Sequence, residues 1–245
     1  NNMHLKIDDI KKLHQKKYRN ELGYFLVEGE HLILELEKAA EQNATLQGCE
    51  LFVTENYQNF SSRFKKNLIS EKNMAQLSDT KTPQGIIAVA PLLSSAKISN
   101  QNERTIYLHE IQDPGNLGTI LRSLAWFGNF RCLISPGSVD PFNPKVVRSS
   151  MGAIFHVPIE LDVPLESIAS RFKSIATLDM NGKALSDSSF KQFDCYVFGN
   201  EARGVPREDL QTMNAQPFTI SGCGAIESLN LASAVNMCVY ELMRQ

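Results

Sequence analysis

Several features that define large classes of protein are missing from this 245-residue sequence. No apolar run approaches the roughly 18 residues that a membrane-spanning helix needs. No basic, apolar and small-residue leader opens the chain, so the sequence gives no sign of secretion. Only five cysteines occur, scattered and never in a close pair. This pattern favours reduced thiols in a cytoplasmic protein and argues against a zinc site.

A large excess of one charge is missing as well, because the formal net charge is only −2. Such an average hides a local cluster of basic residues near the amino end. Asp8 and Asp9 are the acidic residues among them. The basic residues are Lys6, Lys11, Lys12, Lys16, Lys17 and Arg19. The cluster favours an anionic partner, and a solvated helix face is the alternative interpretation.

The first part of the chain, residues 1–92, is predicted to form a small α/β domain in which short apolar runs alternate with helical periodicity. The predicted strands cover residues 24–27, 50–54, 68–69 and 85–90, and the predicted helices cover residues 6–14, 29–40, 56–64 and 72–77. Residues 93–104 are polar and rich in turn-forming residues. We therefore expect a linker there.

From residue 105 to residue 245, strands and helices alternate, which predicts a second domain with a parallel sheet and helices on both faces. Strands are predicted at residues 105–111, 131–134, 154–159, 174–178, 195–198 and 217–220, and helices are predicted to start near Asn116, Pro144, Leu165, Pro206 and Ser228. No GxGxxG turn follows the first of these strands. A nucleotide-dependent oxidoreductase is therefore a distant alternative.

Three segments of the second domain share one layout, an apolar strand followed by a polar turn and the start of a helix. They read HEIQDPGNLGTILRSLAWFG at residues 109–128, FGNEARGVP at residues 198–206 and TISGCGAIESLNLASAVNMCVYEL at residues 219–242. The last helix carries an apolar stripe from Leu229 to Leu242, so we expect it to pack on a core. Ligands of open α/β sheets bind beyond the carboxyl ends of strands, and the three turns are expected to meet at such an edge.

In order and spacing, these three segments resemble the three motifs of the SpoU/TrmH family of RNA ribose 2′-O-methyltransferases, which belongs to the SPOUT superfamily. The resemblance extends to KVVRSSMGAIFHVPI at residues 145–159 and to LHQKKYRNELGYFLVEGEHLI at residues 13–33, so it covers most of the chain. It implies that residues 105–245 form an α/β SPOUT-type parallel sheet with a carboxyl-terminal deep trefoil knot. It implies that residues 1–92 form a ribosomal-protein L30e/L7Ae-like α/β domain that binds the RNA substrate.

The implied activity is transfer of a methyl group from S-adenosylmethionine to a ribose 2′-hydroxyl of structured RNA, by a homodimer whose cofactor sites lie near the subunit interface. Because the cofactor is already activated, the protein must align oxygen, methyl and sulfur and help to remove the hydroxyl proton. The amino-terminal domain favours ribosomal RNA as substrate, with transfer RNA as the alternative. A non-catalytic RNA-binding protein with a degenerate methyltransferase domain is a further alternative, against which the retained motif residues argue.

The resemblance assigns the catalytic residues as Arg122, Asn116, Glu201, Ser228 and Asn230. Arg122 lies off the apolar stripe of its helix. We expect it to orient the phosphate and the sugar of the target nucleotide rather than to act as a base, because the pKa of arginine exceeds about 12. Asn116 is alternatively a turn or cap residue, and Glu201 is alternatively a compensating charge at a helix entrance.

The resemblance also assigns binding positions, which for the cofactor act mostly through main-chain and apolar contact. The cofactor-binding residues are Phe198, Gly199, Asn200, Glu201, Gly204, Ile220, Ser221, Gly222, Ser228 and Leu229. The predicted RNA-binding residues are Arg148 of the KVVRSSMG motif and, from the basic cluster rather than from the resemblance, Lys12, Lys16, Lys17 and Arg19. A structural ion pair is the alternative role of Arg148, and no metal site is predicted.

Two stretches depart from the usual sequence of the family. After Arg122, a small and polar run is replaced by SLAW at residues 123–126, at the expected dimer contact or RNA face. Before Gly222, the usual Ile-Pro-Met is replaced by TIS at residues 219–221, which are expected to line the cofactor loop. We expect altered packing from the first change and altered cofactor affinity from the second.

Overall fold

A computed structural model describes residues 5–94 and 102–245 of the chain. The chain forms two compact units, of which Asn1–Ser94 with Asp140–His156 make up the first, and Ser95–Val139 with Val157–Gln245 make up the second. Most of the linker expected at residues 93–104 lies outside the described residues. In the described ranges no helix is long and apolar enough to cross a membrane.

The first unit is built on a four-stranded sheet. Its elements are α1 (Ile7–Lys11), a 3₁₀ turn (Lys12–His14), α2 (Lys16–Leu22), β1 (Tyr24–Glu28), α3 (Glu30–Ala40), β2 (Glu50–Val53), β3 (Lys65–Leu68), α4 (Glu71–Leu77) and β4 (Ile86–Pro91). The strand order is β1-β4-β2-β3, with β4 antiparallel to both of its neighbours and β3 parallel to β2. Apolar residues of α1, α4 and three of the strands bury one core, to which Ile10, Phe52 and Met74 contribute.

Most elements predicted for the first unit are confirmed, with three exceptions. The helix predicted at residues 56–64 is wrong, because only Glu55–Tyr57 forms a 3₁₀ turn. Lys66 Nζ donates to the carbonyls of Gln58 and Phe60 at 2.6 and 2.7 Å, so side-chain bonds take the place of a helical ladder. The second exception is the strand predicted at residues 68–69, since the observed strand β3 covers Lys65–Leu68 and shares only Leu68 with it. The third is α2, which the sequence did not predict.

The second unit is built on a six-stranded parallel sheet. Its strands are β5 (Arg104–Leu108), β6 (Phe130–Ile134), β7 (Ile159–Glu160), β8 (Ile175–Ala184), β9 (Cys195–Phe198) and β10 (Gln216–Thr219). The helices from residue 102 onward are α5 (Pro114–Phe127), α6 (Pro144–Ser149), α7 (Glu166–Arg171), α8 (Arg207–Thr212) and α9 (Leu231–Met243), of which α6 belongs to the first unit. The strand order is β10-β8-β9-β5-β6-β7 and every pair is parallel, as predicted. Strands β6 and β7 lie on one side of β5 and strands β8, β9 and β10 on the other, so the strand order reverses between β5 and β9. Such a reversal is where open sheets bind ligands.

The strand predicted at residues 154–159 is mostly wrong. Met151 and Gly152 have φ angles of 53° and 97°, which turn the chain before Ala153–Phe155 forms a 3₁₀ turn. Only Ile159, at the end of the predicted run, pairs in the sheet, opposite Cys132. An apolar run therefore fills a core here without being extended.

Residues 140–156 lie between β6 and β7 in sequence but pack within the first unit, a division that differs from the boundary expected at residues 93–104. The rings of Phe25 and Phe142 meet edge to face with centroids 4.9 Å apart, and α6 packs on β1. The Arg19 guanidinium donates to Asp140 Oδ2 at 2.8 and 3.0 Å. The segment is thus fixed by both apolar and ionic contacts.

Helices α5 and α9 of the second unit lie side by side and run in the same direction. Three contacts set their register, between Asn116 and Asn230, between Ser123 and Asn236 at 2.6 Å, and between the rings of Phe127 and Tyr240. The stripe predicted for α9 is confirmed at Ala232, Val235, Val239 and Leu242, which are buried. Both helices therefore begin at the same end of the molecule, beyond the carboxyl ends of the strands.

A charged network joins three parts of the second unit. Arg131 is buried and binds Glu103 at 2.6 Å and Glu160 at 3.3 Å, and Arg171 binds the same Glu160 at 2.6 Å. Burial raises the pKa of Glu160, but the hydrogen bonds and charges of Arg171 and Arg131 outweigh burial and hold that pKa below its usual value. Glu160 therefore remains charged at neutral pH.

Candidate active site

The turn after β5 is built by the start of α5. Asp113 is the N-cap residue, and its Oδ2 accepts the Asn116 amide at 2.8 Å, with Pro114 in the first turn of the helix. Glu110 has a left-handed φ of 55°, an uncommon conformation for a residue with a side chain. Its carboxylate pairs with Arg203 of the turn after β9. The first two motif turns are thus in contact.

Glu201 ties the same two turns together through the main chain. Its carboxylate oxygens accept the amide of Gln112 at 3.1 and 3.2 Å and the amide of Asp113 at 3.0 Å. The sequence predicted a catalytic or cofactor contact, or a compensating charge at a helix entrance. The observed partners are the amides just before α5, so the carboxylate compensates the start of a helix 88 residues away in sequence. No local sequence signal identifies those partners.

Asn200 organises the turn after β9. Its Nδ2 donates to the Glu110 carbonyl at 2.7 Å, and its Oδ1 accepts the amides of Ala202 and Arg203 at 2.9 Å. A Cβ on Gly199 would lie 2.2 Å from the carbonyl carbon of Gly204, so only glycine fits. Phe198, at the end of β9, is buried. Of the five expected cofactor positions in this motif, Gly199, Asn200, Glu201 and Gly204 therefore build or anchor the turn.

Asn116 and Asn230 meet where α5 and α9 begin. Asn230 Nδ2 donates to Asn116 Oδ1 at 3.1 Å, and Asn230 Oδ1 caps α9 by accepting the Ser233 amide. The helix expected to start near Ser228 begins at Leu231 instead. Leu229, expected on the apolar stripe, precedes the helix and is 46% exposed. That part of the expectation is wrong, because Asn230 is the residue that caps.

The segment between β10 and α9 has few contacts of its own. Every residue from 221 to 230 is exposed, including Ser221, Gly222 and Ser228, and Ile220 before it is half-buried. Within the described part of the chain no backbone amide of residues 221–229 donates a hydrogen bond. A glycine-bearing segment with free amides, lying between a strand end and a helix start, suits a ligand that accepts hydrogen bonds.

Arg122 lies on the exposed side of α5, away from the buried Leu117, Ile120, Leu121 and Leu124, as its place in the sequence predicts. It makes no hydrogen bond or ion pair within residues 5–94 and 102–245. Hydrogen bonds therefore link the turns of Asn116, Asn200, Glu201 and Asn230, and none of the bonds in the described residues involves Arg122.

Two of the predicted RNA-binding residues are engaged elsewhere. Arg19 is 2% exposed and binds Asp140 and the Leu13 carbonyl, so its expected contact with RNA is wrong. Arg148 is partly exposed and pairs with Asp79 at 2.7 Å, which favours the structural ion pair that was its alternative role. Lys12, Lys16 and Lys17 remain exposed.

The buried thiols are poor nucleophiles. Burial raises the pKa of Cys132 and of Cys238 to about 12, and it raises the pKa of Cys195 as well. Cys223, in the segment after β10, is exposed. None of the five forms a disulfide. The chemistry of this site therefore falls to the polar residues of the three turns.

Comparison with known proteins agrees with this geometry. The sequence profile of the SpoU rRNA methylase family matches residues 103–240, and that of the MRM3-like substrate binding domain matches residues 4–88. The chain is 30% identical to the 23S rRNA (guanosine(2553)-2′-O)-methyltransferase RlmP of Bacillus subtilis, over 97% of this chain and 95% of the relative.

Solved structures give the same result. A TrmH-family protein from Porphyromonas gingivalis has a TM-score of 0.82 and 28% identity, over 97% of this chain and 96% of its own. An AdoMet-bound rRNA methyltransferase from Sinorhizobium meliloti has a TM-score of 0.81 and 25% identity, over 97% and 94%. With its family profile, its relatives and its fold in agreement, the chain belongs to the SpoU rRNA methylase family.

Proposed function

We propose that this protein transfers the methyl group of S-adenosylmethionine to a ribose 2′-hydroxyl of ribosomal RNA. The observation that carries the proposal is the meeting of the motif turns at the carboxyl ends of the strands. Glu201 joins the turn after β9 to the turn after β5, and Asn116 joins α5 to Asn230 at the start of α9. The relative from Bacillus subtilis is named for the same reaction on 23S rRNA.

The segment at residues 220–230 fits the cofactor. Its free amides suit the carboxylate and ribose oxygens of S-adenosylmethionine, and the exposed side chains of Ile226 and Leu229 suit its adenine. In the neighbouring turn, Gly199 allows close approach of the Gly204 main chain, and Gly204 adopts a left-handed φ of 72°. When bound, the cofactor supplies a methyl group on a positively charged sulfur.

The remaining task of the protein is to hold the target nucleotide in line with that methyl group. An unpaired guanidinium suits this task, because its planar donors bind a phosphate in two places at once. Arg122 is such a group on the exposed side of α5. We assign it the phosphate and ribose of the target, and we assign Asn116, Ser228 and Asn230 to the same pocket.

A second copy of the chain supplies the surroundings that Arg122 lacks. On α5, Trp126 follows Arg122 by one helical turn and is 83% exposed; on α9, Met237 and Tyr240 are exposed as well. A monomer seldom leaves so many large apolar side chains in water. We propose that α5 and α9 form the interface of a homodimer. Trp126→Glu should shift the protein from dimer to monomer in sedimentation, whereas an unshifted dimer would place the interface elsewhere.

The first unit is assigned to RNA binding. It matches a substrate-binding domain of the family, and it presents Lys12, Lys16 and Lys17 to solvent. Ribosomal RNA is favoured over transfer RNA, since the relative that covers nearly the whole chain is named for an rRNA target. We also propose the trefoil knot and a cytoplasmic location, both of which rest on the family.

The test is methyl transfer from tritiated S-adenosylmethionine to two RNA preparations in separate reactions, in-vitro-transcribed ribosomal RNA and transfer RNA. Incorporated label should appear in ribosomal RNA and be recovered as 2′-O-methylated nucleoside after digestion. Label in transfer RNA alone would overturn the substrate assignment. Cofactor binding without transfer to either RNA would favour a non-catalytic RNA-binding protein.

A further inference from the structure

The basic amino-terminal segment contains an aromatic ring that two of its lysines share. Lys12 Nζ lies 5.5 Å from the centroid of the Tyr18 ring, and Lys17 Nζ lies 5.4 Å from the same centroid. Both distances are within the range of a cation–π contact. The two ammonium groups thus contact one ring, which limits how far apart they lie although their like charges repel.

Buried contacts fix the backbone that presents this group. Arg19 Nη1 donates to the Leu13 carbonyl at 3.0 Å, which joins α2 to the turn before it, and the rest of its guanidinium binds Asp140. With Arg19 turned inward, Lys16, Lys17 and Tyr18 lie on the outer part of the same short helix. Arg19, which was expected to bind RNA, instead fixes the backbone that carries Lys16, Lys17 and Tyr18.

The two ammonium groups are only partly compensated by acids. Lys12 has Asp9 at 3.8 Å, a long ion pair on an exposed surface, and Lys17 has no ion pair in the described part of the chain. By contrast, the more acidic side of this segment pairs Lys11 with Asp8 at 3.4 Å. Two undercompensated cations on one ring favour an anion that carries more than one charge.

We propose that Tyr18 is a positioning residue that holds Lys12 and Lys17 as a two-cation clamp for neighbouring phosphates of an RNA strand. This inference rests on the proposed function, because it takes RNA to be the substrate. The clamp grips phosphates rather than base edges, so it supplies affinity without sequence specificity. Its loss should therefore raise KM for RNA and leave kcat unchanged.

The experiment uses the full chain and fluorescently labelled ribosomal RNA fragments, with affinity measured by anisotropy across a salt series. Tyr18→Leu removes the ring but keeps both charges. We expect its affinity to fall about two- to five-fold with no change in salt slope, as for an exposed cation–π pair. Replacing Lys12 and Lys17 together by Gln should lower the log–log salt slope by roughly 1.4 to 1.8.

Two matched variants separate positioning from structure. Tyr18→Phe keeps the ring and should bind RNA as the wild type does. Lys38→Gln removes a cation of the same unit that is already paired with Glu35, and it should change neither affinity nor slope. Thermal unfolding of each variant checks that the fold is kept. A second readout is methyl transfer, in which Tyr18→Leu should raise KM alone.

The outcomes distinguish this inference from the proposed function. Wild-type affinity of Tyr18→Leu in a protein that methylates RNA would overturn the clamp and leave the activity intact. A fall of affinity in Tyr18→Phe as large as that in Tyr18→Leu would also overturn it, because the ring would then not be what holds the two lysines. The expected slopes in a protein that binds RNA but never transfers methyl would support the clamp and overturn the activity.

Discussion

Two segments of similar kind, residues 140–156 and residues 221–230, differ in how they are held. Each follows a strand of the six-stranded sheet and contains or leads into a helix. The first is held by Asp140, Phe142 and α6 within the first unit, whereas the second is exposed throughout. The difference indicates that the first segment serves folding and that the second is completed by a ligand or a second copy of the chain.

The largest effect is expected from breaking the first segment. Asp140→Ala leaves the Arg19 guanidinium buried without its carboxylate, since the two side chains are 8% and 2% exposed. Loss of one partner of a buried pair costs about 3–5 kcal/mol. Chemical denaturation should show this loss in the free energy of unfolding.

The control for that variant is Asp79→Ala. Arg148, the partner of Asp79, is partly exposed, so water replaces the lost carboxylate. The cost should be at most about 1 kcal/mol. Equal destabilisation by the two variants would contradict the view that residues 140–156 are held mainly through Asp140.

In the proposed active site, Arg122→Ala should leave folding intact and lower the rate of methyl transfer. A charge-assisted bidentate contact of about 2–4 kcal/mol corresponds to roughly 30- to 1000-fold in rate. Arg122→Lys should recover little, because an ammonium lacks the planar pair of donors. Single-turnover methylation measures the rate of each variant, and calorimetry checks that each variant still binds the cofactor. A fully active Arg122→Ala would make the residue an ordinary surface arginine.

Glu201→Gln should loosen the turns that the cofactor segment completes. The carboxylate accepts two amides before α5, and hydrogen bonds to a charged group contribute about 1.5–3 kcal/mol. We expect S-adenosylmethionine affinity to fall about ten- to a hundred-fold in calorimetry. Glu208→Gln removes an exposed carboxylate from α8 and should have no effect. Unchanged affinity in Glu201→Gln would show that the carboxylate has no part in cofactor binding.

The smallest effect concerns the network around Glu160, which serves folding as residues 140–156 do. Its pKa in the folded state is lowered, so its contribution to stability is present above the unfolded pKa, near the usual 4.5, and is lost as pH falls through the folded value. Unfolding free energies measured from neutral to acidic pH should fall less steeply in Arg171→Gln. An identical slope in both proteins would show that Arg171 does not hold the pKa down.

The sequence predicted elements whose pattern is local. The apolar stripes of α3, α5 and α9 have helical spacing, and β5, β6 and β9 are short apolar runs in a buried parallel sheet, so periodicity and strand length sufficed. Residues 154–159 failed the same test, because left-handed turns at Met151 and Gly152 precede them. A buried apolar run does not reveal whether it is extended.

The roles of single charged residues were harder to predict, because their partners are distant in sequence. Arg19 binds Asp140, which lies 121 residues away, and nothing near Arg19 distinguishes it from the exposed lysines beside it. Glu201 likewise binds amides rather than a side chain. By contrast, the off-stripe position of Arg122 was predictable, since it depends on helical spacing alone.

Amide hydrogen exchange with and without S-adenosylmethionine tests most directly whether residues 221–230 are ordered by the cofactor and residues 140–156 by the fold. Without the cofactor, the amides of residues 221–229 should exchange rapidly, because none of them donates a hydrogen bond among the described residues. Saturating cofactor should slow their exchange, while the hydrogen-bonded amides of residues 140–156, such as those of Val147 and Ser150, remain protected in both states. Unchanged exchange at residues 221–229 with saturating cofactor would contradict the assignment of this segment as the cofactor site.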